Sequence, residues 1–149
     1  MKADGTRFGQ RARTLLPAAL GVVIAADVVG GVWDIAAGRS TAADAWGSDA
    51  TLCAPWPMIA FQVVAVTVAV RSAHLPGRVA AGLLAAACAV SVASGFFDGQ
   101  LGRGDLAPAE VGFQVLLLGL TGVLGGVATA AALRGPSVRR APAASDELN

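Results

Sequence analysis

The chain has 149 residues, 55% of them hydrophobic and only 14% charged, with a formal net charge of +1. A soluble domain of this size carries about 25% charged residues, so the composition excludes an ordinary soluble globule. The near-zero balance excludes a basic surface built for nucleic acid.

Residues 1–14 form a basic segment with Lys2, Arg7, Arg11 and Arg13, suited to the anionic inner leaflet of a membrane. Four apolar stretches follow at about 15–37, 52–70, 79–97 and 111–133. Each is close to the ~20 residues that cross a ~30 Å hydrocarbon core as a helix. The first is longer than the ~7–15-residue apolar core of a signal peptide and reads as an uncleaved span, with Pro17 in its first turn. Pro55 and Pro57 bracket Trp56 at the start of the second. Residues 71–78 are a tight connection in which Pro76-Gly77 reads as a turn. Residues 98–110 carry three glycines, a proline and a net negative charge. The tail, 134–149, has the Pro-, Ala-, Ser- and charge-rich composition of a disordered segment.

The fold class expected is all-α and integral to the membrane: four transmembrane helices in an up-down antiparallel bundle. Nine of the eleven Lys and Arg fall in residues 1–14, 71–78 and 134–149, and only Arg39 and Arg103 in the other two loops. The positive-inside rule therefore puts both termini in the cytoplasm of a multi-pass inner-membrane protein. Trp33, Trp46, Trp56, Phe96, Phe97 and Phe113 gather toward the opposite side as an aromatic belt. The bias to Arg, Ala, Gly and Val is that of a high-GC bacterial genome. Cys53 and Cys88 fall at different depths, which disfavours a disulfide. Gly122 and Gly126 make a small-xxx-small pair on the fourth helix, suited to packing inside the bundle or to a homodimer seam.

Asp27 stands out, because the middle of a span costs a carboxylate ~2.5–3.5 kcal/mol. Counting depth from each helix end puts Gln62 at its level, so the two read as a midplane polar pair. Asp34 lies seven residues on and shares Asp27's face. Asp34, Asp98, Gln114 and Trp33 are placed to ring an outer polar pocket above it. These acids and amides are the candidate proton or ligand site, against the plainer reading of Asp27–Gln62 as a packing hydrogen bond and of the rest as interfacial polar groups. One His and two separated Cys make no zinc site. No phosphate-binding loop, Ser-His-Asp or Cys-His arrangement occurs. No metal, no cofactor, no catalytic residue and no nucleic-acid partner is expected.

The segments Gly31-Val32-Trp33-Asp34, Gly95-Phe96-Phe97-Asp98-Gly99 and Val111-Gly112-Phe113-Gln114 resemble those of small uncharacterised four-span bacterial membrane proteins. The layout of four helices, an acid in the first and a Gly-rich fourth is similar to that of small multidrug transporters, though those use Tyr and this chain has none. It also resembles DoxX-like proteins. The leading expectation is a non-catalytic accessory or structural component whose partners are the lipid bilayer and a second copy or another membrane protein. The alternative is a proton-coupled carrier of a small or apolar molecule using Asp27. The expected topology is testable in a background with Cys53 and Cys88 replaced by Ala. Cysteine introduced at Ser40 or Gly102 should react with an impermeant thiol reagent on intact cells, and cysteine at Ser72 or Ser137 should not. Labelling at position 72 would reverse the orientation.

Overall fold

The computed structural model describes residues 4–47, 52–72, 74–97, 99, 101–104 and 106–133. Its elements are α1 (Asp4–Ala36), α2 (Trp56–Arg71), α3 (Leu75–Phe97) and α4 (Pro108–Ala132). Three segments, Arg11–Ala36 of α1 and the whole of α3 and α4, are long and apolar enough to cross a membrane. Their outward faces fit that setting: Val22, Leu83 and Val123 are all more than half exposed. On a soluble protein those positions would be polar. α2 is also apolar but has only 16 residues, about 24 Å at 1.5 Å per residue. α1 packs against α2 and α4, and α3 packs against the same two, so the helices form a ring.

All four helix starts differ from the sequence expectation, for local reasons. α1 begins at Asp4, which makes most of the basic segment helical and leaves Pro17 inside the helix. Pro17 removes one N–H there, while the Ala- and Leu-rich run on either side favours helix. α2 begins four residues later than expected. Pro55 is extended (φ −67°, ψ 149°), and Pro57 lies in the first turn, where its missing N–H does no harm. α3 begins four residues early, so Pro76 and Gly77 form its first turn rather than a connecting turn. Gly77 is needed there because a Cβ would run into the Ser72 carbonyl oxygen. α4 begins at Pro108, the favoured first position of a helix. The disorder expected for 134–149 lies outside the described residues.

The interior divides by height. Leu16, Leu20, Val66, Leu84, Leu124 and Ala128 belong to a dry apolar core at the end where Arg13 reaches the Ser72 carbonyl (3.2 Å) and Arg78 the Ala132 carbonyl (3.0 Å). The buried polar residues Asp27, Asp34, Gln62, Glu110 and Gln114 occupy the other half.

In that half, the chain after α1 folds back along the helix. The Trp46 indole lies against Gly31, and the Leu52 carbonyl lies against Gly30. A Cβ on Gly31 would fall 2.6 Å from the Trp46 ring, and one on Gly30 would overlap the Leu52 oxygen. Trp46 stacks at a tilt on Trp56 (6.1 Å, 42°), and its carbonyl accepts the Trp56 backbone N–H (3.0 Å).

On α4 the close approach belongs to Gly125, where a Cβ would meet Cys88 Cβ at 2.9 Å. Gly122 and Gly126 have nothing within 4 Å. The expected packing pair therefore does not serve within this chain. At 3.6 residues per turn, it sits about 60° and about 100° round the helix from Gly125. Gly30→Ala should lower stability by about 1–3 kcal/mol, because the opposing group is backbone and cannot swing aside. Gly122→Ala and Gly126→Ala should leave the monomer unchanged. Thermal unfolding in detergent compares them, and a Gly30→Ala protein as stable as wild type would contradict the fold-back.

Candidate functional site

The site starts from a backbone problem. Residues 52–55 are not helical, so their N–H groups lack helical acceptors, yet Leu52 is fully buried. α1 supplies the acceptors. Asp27 and Asp34, two turns apart on one face, are 2% and 1% exposed. The Leu52 N–H donates to Asp34 Oδ2 (3.1 Å), and the Ala54 N–H donates to Asp27 Oδ1 (2.8 Å).

Asp34 has a second duty. Gly38 takes the left-handed conformation (φ +71°) and ends α1 with a Schellman turn. The Gly38 N–H donates to the Ile35 carbonyl (3.0 Å) and the Arg39 N–H to the Asp34 carbonyl (3.0 Å). The turn folds Arg39 back onto Asp34, with Arg39 Nε 2.9 Å from Asp34 Oδ1. Arg39 Nη1 then reaches Glu110 Oε1 in the first turn of α4 (2.7 Å). The other Glu110 oxygen accepts the Ala107 N–H (2.9 Å), the reach-back half of a capping box. One guanidinium thus clasps two buried carboxylates and ties α1 to α4. Burial alone would lower the pKa of Arg39, but the hydrogen bonds to Glu110 and Asp34 outweigh it and hold the guanidinium above its ordinary range.

Sequence reasoning missed both Arg39 and Glu110. The signals present were Arg39 as a rare basic residue on its side, next to a helix-ending glycine, and Glu110 two residues after a helix-starting proline.

Between the clasp and the dry core lies a cavity of about 360 Å³, walled by all four helices and by residues 52–55. Asp27, Gln62 and Gln114 line it; Asp34 does not. The Asp27–Gln62 pair expected from depth counting is not made; the Ala54 N–H takes one carboxylate oxygen. Asp27 Oδ2 and Gln62 Oε1 are buried without a hydrogen-bond partner. Gln114 Oε1 accepts the Gly102 N–H at a long 3.4 Å. Of the expected outer ring, Asp98 lies outside the described residues, Trp33 packs on Phe113 (5.6 Å, 54°), and Asp34 is held by Arg39.

The rest of the wall is apolar or hydroxylic, and the Ser91 hydroxyl already donates to the Ala87 carbonyl (2.9 Å). Among the described residues, no Lys, Arg or His lines the cavity. Both cysteines are free. Burial, then the negative charge of Asp27 and Asp34, pushes the Cys53 thiol up to about 12, so it is protonated at neutral pH and is a poor nucleophile. No group of three metal-ligating side chains occurs among the described residues. Set against family models, curated proteins and solved structures, the chain matches none of them.

Arg39→Met should leave Asp34 and Glu110 facing each other without a cation. Breaking a fully buried pair costs ~3–5 kcal/mol. The Arg39 side chain is 26% exposed, and solvent screening brings the expected loss to about 1–3 kcal/mol. Arg39→Lys should recover only part of it, because one ammonium lacks the fork that spans two carboxylates. Thermal unfolding should rank wild type above Lys above Met, and a Met variant with the wild-type midpoint would remove the clasp from the account of stability.

Proposed function

We propose that this is a small four-span protein of the bacterial inner membrane, its helices running alternately up and down with both termini cytoplasmic, and that it is a proton-coupled carrier of a small molecule. Arg13–Ser72 and Arg78–Ala132 contacts at one end, with Arg39–Glu110 at the other, support the alternating arrangement. The sidedness of Arg supports the orientation.

One observation carries the functional reading: the cavity beside Asp27 holds two buried oxygens, Asp27 Oδ2 and Gln62 Oε1, with no protein partner. A purely structural Asp27 would have both oxygens satisfied by the fold. Here Oδ1 anchors Ala54 and Oδ2 is left to exchange a proton or meet a ligand, the usual work of an acid inside a membrane. Among the described residues, Asp27 is the only Asp or Glu lining the cavity, which favours binding over acid–base catalysis, since that chemistry generally needs a second group. The accessory reading, with a homodimer or another membrane protein as partner, draws support from the open edge at Gly122 and Gly126.

A hydrophobic carbodiimide separates the two readings. A carrier carboxylate should be modified in the wild-type protein, faster at low pH because the protonated acid is the reactive form, and Asp27→Asn should abolish the modification while keeping the Ala54 anchor. A folded wild-type protein whose Asp27 stays unmodified at every pH would sink the carrier and leave the accessory component standing.

A further inference from the structure

Resting on that carrier reading, we infer that the cavity takes a protonated primary or secondary amine on a compact apolar body. The inference follows from which hydrogen-bonding groups are spent and which are left. Three nearby backbone donors are consumed: Leu52 N–H by Asp34, Ala54 N–H by Asp27, and Gly102 N–H by Gln114. The Ser91 hydroxyl proton is consumed by Ala87. Two buried acceptors are left without a donor, Asp27 Oδ2 and Gln62 Oε1, each on a residue at least 98% buried, beside the Gln62 amide nitrogen and the Ser94 and Thr121 hydroxyls of the same lining. An anion would meet a carboxylate with no Lys, Arg or His among the described residues of the lining to offset it. A wholly apolar ligand would leave both oxygens desolvated, a cost of ~1–3 kcal/mol for each group. A metal ion finds one carboxylate where it needs several hard oxygens.

An ammonium group supplies the N–H donors that unpaired oxygens on this cavity need and balances the Asp27 carboxylate charge. The apolar remainder of the wall, including Val23, Val90 and Leu118, takes the hydrocarbon body. A volume of about 360 Å³ is at the lower end of the ~300–1,000 Å³ of ligand pockets, which sets the compact size. Among the described residues, no Phe, Trp or Tyr lines the cavity, so they supply no aromatic cage of the kind by which quaternary ammonium groups are held. The amine must donate hydrogen bonds.

The test uses four matched probes on the purified full chain in detergent, read by calorimetry: cyclohexylamine, N,N,N-trimethylcyclohexylammonium, cyclohexanol and cyclohexanecarboxylate. Cyclohexylamine should bind tightest. The quaternary ion and the alcohol should be weaker by about tenfold or more, the loss of one charge-assisted hydrogen bond, and the carboxylate should not bind. Asp27→Asn should weaken the amine by a similar factor. Thr121→Phe, which fills the cavity from α4, should remove binding altogether. The amine should also protect wild-type Asp27 from carbodiimide, an arm that needs no folded variant. Equal binding of the alcohol or the quaternary ion, any tighter binding of the carboxylate, or amine binding indifferent to both substitutions would overturn the ligand class. If none of the four binds, the class is likewise overturned, while carbodiimide modification of Asp27 reports separately whether the carrier reading survives.

Discussion

Two backbone N–H groups, on Leu52 and Ala54, set the terms for one half of this protein. Pro55 holds the chain extended before α2, so the residues ahead of it cannot bond one another as a helix does. In apolar surroundings each unsatisfied group costs several kcal/mol. Asp27 and Asp34 answer that need from the neighbouring helix, which offsets part of what two acids cost in so apolar a segment. The same fold-back brings Leu52 and Trp46 onto α1, and only glycine at positions 30 and 31 leaves them room. Two prolines, two carboxylates and two glycines are therefore one arrangement, read at three levels.

The carboxylates share a helix face and a role as backbone acceptors, yet their surroundings diverge. Asp34 sits where α1 ends, and the glycine turn delivers Arg39 to it. Asp27 lies two turns deeper, on a cavity wall that carries no Lys, Arg or His among the described residues, and has one oxygen bonded and one not. The difference comes from where the helix stops. Below the cavity the core is built from Ala, Val and Leu with Cys88.

Much of this was legible in the chain. Apolar stretches of membrane length show without ambiguity, and Asp27 is conspicuous because little else in its neighbourhood is polar. The misreadings have definite physical origins. Depth counting paired Asp27 with Gln62 by assuming that the second helix begins at residue 52. The prolines move that start to Trp56 and place an unsatisfied N–H beside the carboxylate instead. Pro76-Gly77 has the composition of a turn, but a first helical turn wants the same residues. Gly122-x-x-x-Gly126 is a sound motif for close approach, yet it is Gly125, four residues from Thr121 and from Thr129, that faces Cys88. The Arg39–Glu110 contact joins positions 71 residues apart, and no local pattern announces a pairing across that distance.

That distance has a bearing on synthesis. The anchors from Asp27 and Asp34 to residues 52–54 can form once the chain has been made as far as the start of α2. The contact with Glu110 must wait until three helices are complete and the fourth has begun to emerge. In that interval Arg39 is held by one carboxylate and the ring lacks its last side. An intermediate of this kind is open along the flank of α1 that α4 will later cover, with Asp34 already engaged and the cavity without its final wall. The clasp is thus a closing step in biogenesis: ribosome-bound chains halted before and after residue 110 differ in whether the first helix is still accessible from the side.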